Sequence, residues 1–365
     1  MRGMSKMSAA KRVLVTGAFG TIGRETLGVL CERGFDVVAT DVRTRRSQTV
    51  EASLRAVGDF ATEWVDVGDR AQVAGLVARV VPDCVIHLAA VIPPHMYTDA
   101  DYARRINVDG ARHLIDAACR LAERPLFVLA SSHTVHGYRN GARDLPPLRG
   151  DDPRHGLDLY TRLKIESEDL LRRSGLPWTI LRYGIVFPLL YSKRIDPASI
   201  RLSFLVPLQS RAHGLHAADA GFATARCAEG CAEGKVLMIG GGERWKQRQR
   251  YFLERILGAV GVGMLPHEAY LQPDPARDES WFYVDWLDTA EGEALLGYQR
   301  HEPEEYFGAL ARSMGILRPL TRLASPWVRR RMARLSPFYT GEADRRAPGM
   351  DLDERIRRFA TPERA

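Results

Sequence analysis

The chain has 365 residues, 45% hydrophobic and 27% charged, enough for one large α/β domain with appendages or for two domains. Its net charge of +7 comes from arginine spread along most of the chain, without aromatic interleaving or a nucleic-acid motif, so no nucleic-acid partner is expected and an anionic cofactor suffices. No stretch is apolar over a bilayer's width and the opening MRGMSKMSAAK lacks a secretory apolar run, so a cytoplasmic protein is expected.

The runs RVLVTG, DVVATD, ATEWVDV, DCVIHLAA, LFVLASS and WTILRYG have strand length. Stretches of helical period, such as GRETLGVLCERG and VDGARHLIDAACRLAE, separate them. This alternation predicts an α/β fold of the Rossmann type, a doubly wound parallel sheet with helices on both faces. After Gly184 the rhythm breaks: 185–215 is irregular and proline-bearing, then a helix (AADAGFATARCAEG) and a strand (KVLMIGGG) return to the sheet. The expected organisation is a flexible N-terminus over 1–10 and a dinucleotide-binding domain over 11–184 and 216–242. A smaller, mainly helical substrate-binding region covers 185–215 and 243–315, and a basic extension covers 316–365.

In VLVTGAFGTIG, Gly17 permits the tight turn, Gly20 the approach of a pyrophosphate, and Gly23 close packing of helix on strand. Asp41 ends the next strand, where a carboxylate accepts from an adenosine ribose. It would repel a 2′-phosphate despite Arg43, Arg45 and Arg46, so NAD is expected, with NADP the alternative. Asp66 reads as a partner for the adenine amino group or as a helix N-cap, and His87 as a structural histidine. Ser131, Ser132 and Thr134 lie at a strand end. The five cysteines read as reduced, mostly buried thiols, with no second ligand pair beside Cys227 and Cys231, and no metal is expected. Only six of the 52 basic residues are lysine. One of them, Lys164, follows Tyr160 by four residues in DLYTRLK, where a compact ammonium suits a phenol and a sugar hydroxyl better than arginine's wide fork.

TGAFGTIG, Asp41, HLAA, INVDGARHLIDAA, SSHTVHG, YTRLK, LRYGIVF and VLMIGGGE, in that order over about residues 11–300, resemble the extended short-chain dehydrogenases/reductases, the NAD-dependent epimerase/dehydratase group. The resemblance implies Tyr160 as general acid/base, Lys164 as the residue that lowers its pKa and holds the nicotinamide ribose, and Ser132 as the carbonyl binder. Asn107 is implied as a support of the site. Cofactor contacts are implied from Gly17, Gly20, Thr21, Ile22 and Gly23; from Asp41, Asp66 and Val67; and from Leu88, Ala89, Ala90, Asn107, Tyr160, Lys164 and Tyr183.

Departures from the group narrow the reaction. Ser132, His133 and Thr134 stand where its dehydratases carry Thr-Asp-Glu, so the acid and base for eliminating water are missing. Ile185 replaces the asparagine with which its epimerases bind a nucleotide sugar, and Pro188 to His216 lacks the usual arginine-bearing approach to VDDVA, here HAADAG. The expectation is an NAD-dependent dehydrogenase or reductase for a small secondary alcohol or ketone other than a nucleotide sugar, working as a homodimer. Ile92, His95, His133, Thr134 and Ile185 are its candidate pocket residues, although each histidine alone, and an isoleucine at 185, also suits a structural role. A nucleotide-sugar 4-epimerase is the alternative, with Arg194, Arg201 and Arg211 able to serve a diphosphate. A non-enzymatic dinucleotide sensor is disfavoured by Tyr160 and Lys164. In the tail, Trp327, Val328, Met332 and Leu335 beside Arg329, Arg330, Arg331 and Arg334 suit a membrane-surface helix or, preferably, a helix packed on its own domain or a dimer mate.

Overall fold

Strand β1 (Arg12–Thr16) is buried at every position after its first, the mark of a parallel strand covered on both faces. The computed structural model describes residues 10–188, 196–344 and 350–359; most of the expected N-terminal segment lies outside them. Strands β2 (Asp36–Asp41), β3 (Ala61–Trp64), β4 (Cys84–His87), β5 (Leu126–Ser132) and β6 (Trp178–Tyr183) follow. Then come β7 (Ile185–Phe187), β8 (Arg211–His216), β9 (Val236–Ile239) and β10 (Lys246–Arg248). The main sheet has seven parallel strands in the order β3-β2-β1-β4-β5-β6-β9, the doubly wound arrangement expected. A second sheet orders β10-β8-β7.

Helices α1 (Thr21–Glu32), α2 (Arg45–Leu54), α3 (Arg70–Val80), α4 (Ala100–Arg104), α5 (Gly110–Ala118) and α6 (Leu159–Arg172) belong to the first half. A π-helical turn over Arg105–Asp109 joins α4 to α5. The second half holds α7 (Pro197–Phe204), α8 (Ala217–Cys227), α9 (Gln249–Ala259), α10 (Ala290–Leu296) and α11 (Pro303–Ser313). The tail holds α12 (Leu317–Leu323), α13 (Ser325–Ala333), α14 (Pro337–Thr340) and α15 (Leu352–Phe359).

Alternation along the strands divides the core. Val13 and Val15 of β1 join Leu27 and Leu30 of α1 and Ala220 and Ala223 of α8 on one face. Leu14 joins Leu76 of α3 and Leu114 of α5 on the other. A third cluster, outside the sheet, contains Met96, Tyr97, Phe204, Leu205 and Tyr283, with Tyr160 and Ile185 packed against it. Two stretches differ from expectation. Residues 185–215 contain β7, α7 and β8, elements too short to show periodicity. Residues 261–289, expected as mainly helical, hold only brief 3-10 turns at His267–Ala269 and Asp278–Ser280, because Pro266, Pro273 and Pro275 deny the backbone its donors and Gly261 and Gly263 take positive φ. Of the cysteines, Cys84 and Cys227 are buried, Cys31 and Cys119 half-buried and Cys231 exposed.

Candidate active site

The strand order reverses between β1 and β4, and in open sheets of this kind ligands bind at such a point, beyond the carboxyl ends of the strands. Gly17 has φ +64°, and a Cβ on it would lie 2.6 Å from the Ala89 amide nitrogen, so a glycine is what lets the two strand ends approach. A Cβ on Gly23 would lie 2.3 Å from the Gly17 carbonyl oxygen, so that helix and turn pack backbone to backbone. The first helical bond of α1 runs from Arg24 N–H to the Gly20 carbonyl at 3.2 Å, which leaves the amides of Thr21, Ile22 and Gly23 at the open helix end. This cradle, free of side chains and ending in unpaired amides, fits a dinucleotide pyrophosphate.

Asp41, at the end of β2, accepts from Phe19 N–H at 3.1 Å and Val42 N–H at 2.8 Å. Burial raises its pKa against those two bonds and the charge of Arg46. Asp66 accepts from Gly68 N–H at 2.8 Å and pairs with Arg105 at 2.9 Å. The cap of α3 is Asp69, so the capping alternative for Asp66 is not what forms. The Val67 side chain is buried in the core. After β4, Leu88 N–H donates to the Thr16 carbonyl at 3.1 Å, and the Thr16 hydroxyl meets His87 Nδ1 at 2.7 Å. Ala89 and Ala90 continue this half-buried edge. Asn107 clamps the same loop: its amide nitrogen donates to the Val91 carbonyl at 2.8 Å while its oxygen accepts from Val91 N–H at 2.7 Å. Asn107, on the π-turn, thus fixes the backbone after β4.

Helix α6 brings Tyr160 and Lys164 to the end of β5. The Tyr160 phenol lies near Ser132, whose hydroxyl accepts from the Thr134 hydroxyl at 2.9 Å. Lys164 Nζ donates to the Ala130 carbonyl at 2.8 Å and lies 5.9 Å from the centre of the Tyr160 ring. Burial pushes the phenol up to about 12, only partly offset by the nearby Ser132 hydroxyl. Burial also pulls Lys164 down to about 8, against the charge of Glu168. The expectation that the lysine depresses the tyrosine is therefore not met in the free protein: both groups are desolvated together, and burial governs the phenol.

Sequence reasoning missed what holds this helix. Asp158, fully buried, caps α6 through Thr161 N–H at 2.9 Å in a capping box with Thr161, and Tyr97 and Tyr283 both donate to it. The Asp-x-x-Thr spacing before an apolar run was the available signal. Glu168, one turn after Lys164, is also fully buried and accepts from Ser131 at 2.6 Å, from Arg182 at 2.9 and 2.7 Å and from Arg154 at 3.2 Å.

The candidate pocket residues divide. Thr134 and Ser132 lie together at the site. His133 is buried, its Nδ1 donating to the Tyr183 carbonyl at 2.8 Å while Nε2 meets no polar group among the described residues. Burial lowers its pKa, so the ring is neutral with Nε2 an acceptor. Ile185 is half-buried beside the apolar cluster. Ile92 and His95 are exposed, His95 facing Asp196 at 3.2 Å. Tyr183 is a core residue whose phenol meets Thr224 at 2.7 Å, away from the hydroxyl cluster. Of the arginines considered for a diphosphate, Arg211 is buried against Asp285 and the Leu145 carbonyl. Arg194 lies outside the described residues, and Arg201 is half-buried on α7. Asp219 of HAADAG is structural too, bonding His301 Nδ1 at 2.6 Å and the amides of Arg300 and His301.

Residues 13–196 match the NAD dependent epimerase/dehydratase family. The 3-diazoavenalumate denitrifying reductase of a Streptomyces species is 30% identical to this chain over 298 residues, 78% of this chain and 92% of the reductase. The UDP-glucose 4-epimerase of Azospirillum brasilense is 30% identical over 187 residues, 48% of this chain and 49% of the epimerase. The solved structure of the UDP-glucuronic acid 4-epimerase of Bacillus cereus with UDP-glucuronic acid and NAD has a TM-score of 0.66 at 20% identity, covering 84% of this chain and 99% of that one. That last likeness is one of fold.

Proposed function

The chain belongs to the NAD dependent epimerase/dehydratase family, and from that premise we propose that it is an NAD-dependent oxidoreductase that reduces a ketone, or oxidises the matching secondary alcohol, on a substrate other than a nucleotide sugar. The observation that carries this reading is the trio at the end of β5: the Tyr160 phenol near Ser132, with the Lys164 ammonium on the same helix face, 5.9 Å from the Tyr160 ring centre. A nicotinamide bound there supplies or accepts the hydride at its C4. Ser132 and Tyr160 hold the substrate oxygen. In the reducing direction Tyr160 gives its proton to that oxygen as the carbonyl carbon gains hydride; in the oxidising direction the tyrosinate takes the hydroxyl proton as the carbon loses hydride. The phenol carries its proton at neutral pH, the form that gives a proton in the reducing direction. Lys164 holds the ribose hydroxyls, and Asn107 keeps the loop after β4 in place.

The substrate class rests on the surroundings of the trio. The cluster of Met96, Tyr97, Phe204, Leu205 and Tyr283 against which Tyr160 and Ile185 pack is largely apolar, and Arg211 is committed to Asp285 rather than free for a diphosphate. The relative aligned over most of its length is a reductase whose named substrate is not a nucleotide sugar. Incubation with NADH and a panel of ketones, set against a panel of nucleotide sugars, tests the reading. Oxidation of NADH by a ketone supports it, and C4 epimerisation of a nucleotide sugar replaces it.

Two outcomes follow from the cofactor side. Asp41→Ser is expected to weaken NAD and improve NADP binding, reversing the preference by calorimetric titration, because the variant removes a carboxylate that would repel a 2′-phosphate beside Arg46. Tighter NADP than NAD binding by the unmodified protein would overturn the assignment. For Lys164, burial puts the folded-state pKa near about 8, below its ordinary 10.5. The ammonium is then present below about pH 8 and lost above it, and the NAD dissociation constant is expected to rise roughly tenfold between about pH 7 and about pH 9.5. In Lys164→Met the same titration should be flat. A flat profile in the unmodified protein would remove the lysine from cofactor binding.

A further inference from the structure

Between Glu305 and Glu342 the chain runs 36 residues with seven arginines and neither aspartate nor glutamate. Helices α12 and α13 lie in this stretch, and α12 buries none of its residues. Ile316 is 80% exposed, Leu320 58%, Leu323 84% and Trp327 66%. These are large apolar side chains close together in the chain, whereas scattered single exposures would need no explanation. The stripe expected from the tail sequence divides: Val328, Met332 and Leu335 turn inward onto the cluster that also holds Tyr160 and Ile185, while Trp327 turns out. Arg312, Arg318, Arg322, Arg330, Arg331 and Arg334 are exposed, and no ion pair engages any of the seven arginines among the described residues. Arg331 lies 5.8 Å from the Trp327 ring, so cation and aromatic share one face.

We propose that α12 and α13 form a docking face for an anionic lipid surface, which the protein lies on rather than crosses. No helix among the described residues is long and apolar enough to span a bilayer. Leu, Ile and Trp side chains projecting beside unpaired arginines are what the headgroup boundary accepts: the apolar groups enter it while the guanidinium groups meet lipid phosphates. A second copy of this chain is the poorer occupant. A two-fold interface would set this acid-free, arginine-bearing stretch against itself, cation facing cation.

Cosedimentation of the full chain with phosphatidylcholine vesicles, with and without phosphatidylglycerol, tests this. Binding is expected only with phosphatidylglycerol and is expected to fall as salt is raised. Trp327→Glu and Leu323→Glu should each weaken it by about tenfold, and Arg322→Glu/Arg330→Glu by at least as much. Because these side chains are exposed, the variants should keep the thermal midpoint and NAD affinity of the parent. Absence of binding, equal binding to both vesicles, or unchanged binding of all three variants would overturn the proposal. So would light scattering that finds the parent a dimer and Trp327→Glu a monomer, with no vesicle binding by either.

Discussion

Replacing Tyr160 with phenylalanine is expected to lower kcat by about 10²–10⁴-fold while leaving the NAD dissociation constant within about twofold, because the variant removes one proton-transferring oxygen and nothing from the cofactor cradle. The ring would still pack on its cluster, since phenylalanine keeps the apolar surface that Tyr160 lays against it. Steady-state turnover and calorimetry on the same preparations separate the two quantities. Ser132→Ala should lose activity in the same direction, and the double variant should lose less than the product of the single losses, because both side chains serve one substrate oxygen. Full turnover by Tyr160→Phe would end the acid/base assignment.

Glu168→Ala is expected to destabilise the protein by about 3–5 kcal/mol, seen as a lower urea midpoint. Both ends of the Glu168–Arg182 pair are almost completely buried, so truncation leaves a guanidinium in the interior with only His136 and the Gly150 carbonyl as partners. Ser131 loses its acceptor as well. Glu168→Gln, which keeps an acceptor of the same shape, should lose less. Burial alone would raise the Glu168 pKa, but Arg182, Ser131 and Arg154 overcome it and hold it below the ordinary carboxylate value. A carboxyl depressed in the folded state contributes stability above its unfolded pKa and loses it as pH falls through the folded value. The difference in stability between the parent and Glu168→Gln should therefore shrink as the solution is acidified below that range. Since Glu168 also supports the charge on Lys164, the alanine variant should in addition bind NAD more weakly at pH 8. A loss under about 1 kcal/mol would mean that the buried pair is not what secures α6 to β6.

The parallel sheet was legible because its strands are covered on both faces and so read as unbroken apolar runs, and because the glycine turn needs glycine for reasons visible in the backbone: Gly17 at positive φ, Gly23 against a carbonyl. Tyr160 and Lys164 were legible as one helical turn. The apparatus around them was not. Tyr97 reaches Asp158 across 61 positions and Arg182 reaches Glu168 across 14, and no local period marks such pairs. The charge balance at the site also escaped a reading by residue type, because the lysine that was to depress the tyrosine is itself desolvated. β7, β8 and β10 have three, six and three residues and pair outside the main sheet, so the region after Gly184 read as irregular. Trp327 was grouped with its neighbours on a stripe, but tertiary packing took Val328 and Met332 inward and left the tryptophan out.

The most direct test of the proposed reaction is stopped-flow absorbance of the nicotinamide in a single turnover, with the full chain, NADH and each ketone of the panel. Consumption of one equivalent of NADH per site, with release of the corresponding alcohol and loss of the signal in Tyr160→Phe, is the predicted result. Unchanged NADH with every ketone, together with interconversion of a UDP-sugar and its C4 epimer by the NAD-loaded protein, would contradict it.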